Sequence, residues 1–415
     1  MTALGRAGIR ESAFGGSTVR GVEAAPSADR WKADRSRKEG TVAKGRIGIG
    51  VIGPGGISQS VHIPGFQLCD ETRVVAAAGR RQEQVNAVAD RFGIPHRTTD
   101  WREVIRHPEV DAVLIATPPH LHHEIAVAAA RAGKHVLCEK PVAVNAGQVE
   151  EMLRAAEEAR VRHMIAFTFR FSPGLRYLVD LVREGHFGQV RQWRACQFGN
   201  SQLDPRTPMN WRHRRAEAVA GALGDMGVHL IDLAHWIVGP IASVAAFGQT
   251  FDQVRPQPGG TGTGTVEVED HCVVALRFGS GALGPIEVSR CVAGRGAFGA
   301  RSYQVVELSG TQGSAIYFIQ DPYRLQLCAG PILAGDQQWA TVDVPQRYWR
   351  PEGFARPLSR EEPLNFRLDQ SFEFVRAIRD GRDAVPSFRD GLACQRVLDA
   401  ILRSMDEGAV QRVPC

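Results

Sequence analysis

Asp225 and His229 stand four residues apart in LGDMGVHLIDLAHWIVG (223–239), whose apolar residues recur at helical spacing. Both side chains therefore share one helix face, which Asp232 and Trp236 continue. An acid can orient a histidine, and such a pair suits proton transfer to and from a hydroxyl. The plainer alternative is an exposed ion pair on a helix surface. Gly221, Gly224 and Gly227 flank the pair, and glycines there point to close approach of another backbone or a ligand. An unperturbed imidazole titrates at about 6.5, so oxidation driven by His229 is expected to rise with pH through that region.

A second candidate is Lys140, in Glu139-Lys140-Pro141 at the end of an apolar run. A lysine there can hydrogen-bond a substrate oxygen and help take its proton, while Glu139 suits a cofactor ribose or the lysine itself. The third is Gly53-Pro54-Gly55-Gly56-Ile57-Ser58, a G-x-G-x-x-S variant of the dinucleotide fingerprint. Gly53 makes the tight turn, Gly55 lets backbone approach a pyrophosphate, and Ser58 is small enough for helix–strand packing. The helix that follows offers free N–H groups to the anion, at Gly56 and Ile57.

An NAD-specific site would carry Asp or Glu about 20 residues on, for the ribose 2′-hydroxyl. Gly79 stands there instead, followed by Arg80 and Arg81, whose guanidiniums suit a 2′-phosphate. NADP is therefore expected to be favoured over NAD. His120, His122 and His123 cluster after Thr117-Pro118, but no carboxylate or cysteine accompanies them at ligand spacing, so no metal is expected. The cysteines stand singly, at 69, 138, 196, 272, 291, 328, 394 and 415, without a CxxC pair. They read as small buried hydrophobes in a reducing, cytoplasmic setting.

The elements that must position these residues follow from periodicity. RIGIGVIG (46–53), TRVVAAAG (72–79), DAVLIATPP (111–119), KHVLCEKP (134–141) and HMIAFTFRF (163–171) read as strands. QEQVNAVADRFG (82–93), HHEIAVAAARAG (122–133) and AGQVEEMLRAAEEARV (146–161) read as the helices between them. This alternation predicts a doubly wound parallel sheet. The pattern then changes. A helix over 172–185 and a strand over 190–198 precede the Asp225–His229 helix, and glycine-punctuated strands fill 241–250, 269–294, 302–319 and 323–330. An antiparallel or mixed sheet is expected there. Residues 255–265 read as low-complexity loop, 345–366 as an irregular segment, and 366–381 and 391–408 as closing helices.

Composition sets the outer limits. The chain has 415 residues, 43% hydrophobic and 23% charged, as an ordinary globular protein would. No run of 18 apolar residues exists, so a membrane-spanning helix is not expected. Of the formal charge of +5, +4 lies in residues 1–44, which lack an apolar signal segment and read as a disordered extension. The near-neutral remainder argues against nucleic acid as a partner.

Three stretches carry a resemblance to the glucose–fructose oxidoreductase / inositol dehydrogenase / MocA (Gfo/Idh/MocA) oxidoreductases. DAVLIATPPHLHHEIAVAAARAGKHVLCEKPVAV (111–144) is similar to the family's ATPxxxH and GKHVLCEKP segment. FRFSP (169–173) is similar to its entry into the second domain, and WRHRRAEAVAGALGDMGVHLIDLAHWIVG (211–239) to its WR…D-x-x-x-H block. The resemblance covers about residues 46–402. It departs at Ala220-Gly221-Ala222, where three glycines are common, and at Gly79, where an acid is common.

The resemblance implies a Rossmann dinucleotide-binding domain over 45–170 and an α+β domain with a mainly antiparallel open sheet over 171–405, serving substrate binding and oligomerisation. It implies an NAD(P)-dependent dehydrogenase moving a hydride between nicotinamide and a secondary alcohol of a sugar, cyclitol or related polyol. His229 would be the general acid/base, Lys140 the polariser and proton relay, and Asp225 their partner. His122 would lie near the cofactor pocket, and Arg170, Trp211 and Arg212 near the nicotinamide or substrate. A homo-oligomer through the outer face of the second sheet is also implied. Two alternatives share the fold: a glycoside hydrolase that holds NAD tightly and shows no net cofactor turnover, and a non-catalytic nucleotide-binding regulator.

Overall fold

Ile47–Ile52 (β1) is buried at every position, as a parallel strand covered on both faces must be. In the computed structural model, which describes residues 45–296, 303–329, 338–354 and 364–414, β1 opens a six-stranded parallel sheet. The extension expected over 1–44, Cys415 and part of the irregular segment after 345 lie outside the described residues. After β1 come α1 (Ile63–Gln67), β2 (Thr72–Ala78), α2 (Gln82–Phe92), β3 (His96–Thr98), α3 (Trp101–Arg106), β4 (Ala112–Ile115), α4 (His122–Arg131), β5 (His135–Cys138), α5 (Ala146–Glu158) and β6 (His163–Ile165). The strand order is β3-β2-β1-β4-β5-β6. It reverses between β1 and β4, where an open α/β sheet leaves a ligand crevice beyond its carboxyl ends.

Two features depart from the periodicity reading. β3 and α3 are additional; β3 is a three-residue edge strand, His-Arg-Thr, with no apolar run to announce it. The strand expected over 163–171 stops at Ile165, because its partner β5 ends in register with it at Cys138. The alternating phenylalanines that follow turn instead into a 3-10 helix, Thr168–Phe171, buried between the sheets.

The second half continues with α6 (Pro173–Arg183), β7 (Val190–Phe198), α7 (Arg215–Ala218), α8 (Val228–Ile237), β8 (Ile241–Gln249), β9 (Val254–Pro256), β10 (Thr263–Thr265), β11 (His271–Phe278), β12 (Leu283–Ser289), β13 (Tyr303–Gly310), β14 (Gly313–Phe318), β15 (Arg324–Ala329) and β16 (Trp339–Asp343). The helices α9 (Asp369–Asp380) and α10 (Phe388–Glu407) and a short β17 (Gln411–Arg412) close it. Nine strands form one sheet, ordered β16-β15-β14-β13-β7-β12-β11-β8-β17. Only β7 and β12 run parallel; the other pairs are antiparallel. β11 alternates buried and exposed residues, so this sheet has one covered face. The glycine-rich 255–265 stretch, expected as loop, contributes β9 and β10 as a two-stranded ribbon.

The last two helices return to the first sheet. α9 packs on α1, and α10 packs on α5, α8 and β8. Asp399 on α10 accepts the Ala146 N–H at 2.8 Å, which ties α10 to the start of α5. Between the sheets lies a buried ion cluster. Arg170 donates to both oxygens of Asp232 on α8, at 2.6–3.1 Å, and pairs with Asp390 on α10 at 2.9 Å. Burial opposes its charge, but the two carboxylates hold it cationic. Removing one partner from a buried pair leaves an uncompensated charge and costs about 3–5 kcal/mol. Asp390 stays in Asp232→Ala, so a loss near the lower end, about 3 kcal/mol, is expected in urea unfolding. A loss below about 1 kcal/mol, the ordinary value for an exposed pair, would show that the cluster does not hold the sheets together.

Candidate active site

The crevice begins with a glycine that nothing else can replace. Gly53 has φ +93°, and a Cβ there would lie 2.5 Å from the Ala116 carbonyl oxygen and 2.7 Å from the Thr117 nitrogen. The β1 turn is thereby pressed against the end of β4. Ser58 is fully buried, and its hydroxyl donates to the Gly53 carbonyl at 2.7 Å, so it braces the loop from within. Gly55 and Gly56 face open space, with no atom within 4 Å of an added Cβ. Ile57 packs on the core below. Thr117 Oγ1 is buried with no hydrogen-bond partner among the described residues, and Pro118 leads from it into a short 3-10 turn. An open glycine cradle, a helix start and an orphan hydroxyl at one switch point fit a dinucleotide.

At the end of β2, a Cβ on Gly79 would meet Pro54 Cδ at 2.9 Å and Val85 Cγ2 at 3.0 Å. Pro54 thus occupies space that an acidic side chain at 79 would need. Arg80 and Arg81 are exposed; Arg81 precedes α2 and donates to Gln84 at 3.3 Å.

At the end of β5, Glu139 is buried and fully engaged. One carboxylate oxygen is 2.7 Å from His62 Nε2, and the other accepts the Lys140 N–H at 3.0 Å. Burial would raise its pKa, but His62 and Lys140 outweigh that and hold the carboxyl below its usual range. Of the two roles open to Glu139 in the sequence, the contact with the lysine is present, through the Lys140 backbone N–H. His122 is likewise spent within the protein. Its ring nitrogens lie 2.8 Å from the Thr117 carbonyl and 2.9 Å from the Pro141 carbonyl, so the ring fills the space between the two turns. Burial lowers its pKa.

Lys140 reaches across to the second half of the chain. Its Nζ donates to the Asp225 carbonyl at 2.5 Å and lies 3.6 Å from the Asp225 carboxylate. Burial opposes the Asp225 charge, yet Lys140, with Arg212 and Arg290, holds its carboxyl below the usual range. Here the helix departs from the expected form. Leu223–Gly227 is a π turn running into α8, so the simple four-residue face does not apply. Asp225 partners Lys140, and no bond joins it to His229. His229 is buried with its ring edge-on to Phe169, 4.6 Å between centroids. Its Nδ1 has no partner among the described residues. Burial first, then the charges of Lys140 and Arg367, hold its pKa well below 6.5. The direction of this shift moves the expected rise of activity with pH to below the ordinary imidazole region.

The glycines around this segment answer to protein rather than ligand. A Cβ on Gly221 would lie 1.9 Å from the Glu269 carbonyl oxygen, and Glu269 Oε1 accepts the N–H groups of Gly221 and Leu223 at 3.0 and 2.8 Å. Two places before Gly221, Val219 takes φ +73°, a conformation a β-branched residue adopts only under constraint. Arg170, expected near the nicotinamide, is committed to Asp232 and Asp390. Asp232 therefore belongs to that cluster as well. Trp211 and Arg212 stack on each other, 4.2 Å from guanidinium to ring, and the Arg212 charge is felt at Asp225. His123 pairs with Glu151, and His120 is 3.4 Å from the Glu217 carbonyl. Among the described residues no cluster could hold a metal ion, and no helix is long and apolar enough to cross a membrane. The sequence reading missed His62, Gln370, Glu269 and Arg367, which lie near the site only through distant contacts; the EDH start of β11 was the one local hint of Glu269.

Comparison with known proteins supplies a context. A family model described as "Oxidoreductase family, NAD-binding Rossmann fold" matches residues 47–167, and one described as "GFO/IDH/MocA C-terminal domain" matches residues 175–316. The levoglucosan dehydrogenase of Pseudarthrobacter phenanthrenivorans is 34% identical over 355 residues, covering 82% of this chain and 89% of the relative. The myo-inositol 2-dehydrogenase of Thermotoga maritima is 32% identical over 266 residues, covering 64% and 73%. A solved levoglucosan dehydrogenase in complex with NADH and levoglucosan matches with TM-score 0.80 and 30% identity, over 89% of this chain and 100% of that one.

The charge state of His229 can be read directly. In an NMR titration of the free protein, its ring should stay neutral at pH 6, below the ordinary midpoint of about 6.5. Lys140→Ala removes one of the two cations that lower its pKa, so the midpoint should move up while burial keeps it low. A parent midpoint at or above the ordinary value would show a solvated ring and overturn this reading.

Proposed function

The chain belongs to the Gfo/Idh/MocA oxidoreductase family, and from that premise we propose that it is a dehydrogenase moving a hydride between a nicotinamide and a secondary alcohol carbon of a sugar, cyclitol or related polyol. One observation carries the reading: from the end of β5 the Lys140 amine reaches Asp225 on the π turn before α8, the helix that bears the buried His229. The relatives that act on levoglucosan and myo-inositol support the substrate class.

The bound cofactor supplies the hydride acceptor or donor at its nicotinamide ring. The protein's own part is to bind, orient and move a proton. Gly53, Gly55, Gly56 and Thr117 form the cradle, with Ser58 bracing it. In the oxidative direction the hydroxyl proton passes to the His229 ring, whose lowered pKa favours the unprotonated form in the free protein. Lys140 donates a hydrogen bond to the oxygen as it becomes a carbonyl, and Asp225 holds that amine in place. Fixing three groups around one carbon supplies part of the acceleration by orientation alone. Copies of this chain would associate through the exposed face of the second sheet, and the cysteines among the described residues, unpaired and all but Cys291 buried, suit a reducing cytoplasm.

We further infer that NADP is favoured over NAD. The position that would carry a discriminating acid is sterically closed by Pro54, and two exposed arginines follow it. A charge-assisted bond contributes about 1.5–3 kcal/mol. Dissociation constants should favour NADP in the parent, and Arg80→Ala or Arg81→Ala should weaken NADP binding by about tenfold or more. Tighter binding of NAD by the parent would overturn the preference and leave the dehydrogenase reading standing.

A panel containing levoglucosan and myo-inositol, assayed with NAD and NADP by nicotinamide absorbance, tests the activity. Lys140→Ala, Asp225→Ala and His229→Ala should each bind cofactor and lose turnover by roughly 10²–10⁴-fold. Cleavage of a glycoside with no net cofactor reduction would replace this reading with the hydrolase.

A further inference from the structure

His62 is fully buried on a π turn, Ser58–His62, in which the Ile63 N–H reaches back to the Ser58 carbonyl. Such turns hold one extra residue and recur at functional sites. Its ring touches two residues far away in the chain. Nε2 lies 2.7 Å from Glu139, and Nδ1 lies 3.4 Å from the Gln370 side-chain amide on α9. An ionised carboxylate only accepts, so Nε2 must carry the proton and Nδ1 must accept from Gln370. The tautomer is thus set from both sides. The other Glu139 oxygen accepts the Lys140 N–H, so the carboxylate is clamped between the ring and the residue that bears the amine.

We propose that His62 is a positioning residue: gripped by Gln370, it anchors Glu139 and thereby holds the Glu139–Lys140–Pro141 turn that presents the Lys140 amine to Asp225. The role rests on Lys140 working as described above, and it makes α9, near the chain's end, part of the support of a turn in the first sheet. A buried histidine with two partners can also be a general stabiliser. The two roles differ in what fails when the ring is removed: a stabiliser loosens the domain, whereas a positioning residue loosens one turn.

The chain itself provides the measurement. Past residue 44 it holds two lysines, Lys134 and Lys140. They sit at opposite ends of β5, and Lys134 is tied by its amine to the Val110 carbonyl at 2.6 Å. Trace acetylation of the full-length protein with acetic anhydride, read by mass spectrometry, therefore compares the site turn with an internal control. In His62→Ala, Lys140 labelling should rise about tenfold, the loss expected for one hydrogen bond to a charged group, with Lys134 unchanged. His62→Gln, which can still donate to Glu139, should restore most of the protection. Gln370→Ala keeps the ring and should raise Lys140 labelling by a smaller factor. It also stands in should His62→Ala fail to fold.

Unchanged Lys140 labelling in the folded variants, or a parallel rise at both lysines, overturns the proposal. Labelling needs no substrate, so its outcome is separate from the functional reading. Parent-level turnover in Lys140→Ala would overturn that reading and this proposal with it, whereas silent labelling overturns this proposal alone.

Discussion

One contact between the two halves of the chain sets the demands on everything near it: the Lys140 amine against Asp225, 85 residues on. A long flexible side chain does not hold such a position unaided, since ordering it costs rotamer entropy. The fold answers by immobilising both backbones. On one side Glu139 takes the Lys140 N–H and is itself held by His62, while the buried His122 ring fills the space between the following proline's carbonyl and the turn after β4. On the other side Glu269 takes two N–H groups at the start of the Asp225 segment, at a spot where only glycine at 221 leaves room. Each clamp is a buried carboxyl that takes two donors, on both oxygens in Glu139 and on one in Glu269, and such bonds offset the cost of burying a polar group.

Burial also decides charge state. His229 lies against Phe169 with a cation nearby, and both effects work against its protonated form. The Asp225 pKa is lowered as well, by three cations, and for a carboxyl that favours the charged form. The same helix segment therefore presents a neutral base and an ionised acid side by side. Nearby positive charge lowers both pKa values, so it favours an unprotonated base and an ionised acid together, and the two can divide the work of proton acceptor and charge partner.

The ion cluster of Arg170 with Asp232 and Asp390 has another task. It joins the turn after β6, α8 and α10, whose buried apolar residues belong to one core. Apolar packing is indifferent to small sliding, whereas a bidentate arginine pair is directional. The segment carrying Phe167 and Phe169, which wall in His229, is thereby fixed relative to the helix that bears it.

Much of this was legible in the sequence because it is local. The alternation of apolar runs and helical spacing announced the parallel sheet, and the glycine fingerprint lay between a strand and a helix. Glu139-Lys140-Pro141 and the Asp225–His229 block were visible as short patterns, since a strand end or a helix face is set by neighbours within a few residues. Partnerships were not visible. Glu139 meets His62 from 77 residues away, and His62 meets Gln370 across 308. The i,i+4 spacing pointed Asp225 at His229, but a π turn redirected it to Lys140. Family resemblance implied a place for Arg170 near the nicotinamide or substrate, and its buried pairing with Asp232 and Asp390 was not visible in the sequence. Sequence alone determined which chemical groups this protein owns and on which elements they ride. Tertiary structure decided which of them touch and which are charged, because both depend on distance and solvent exclusion, quantities that chain order does not encode.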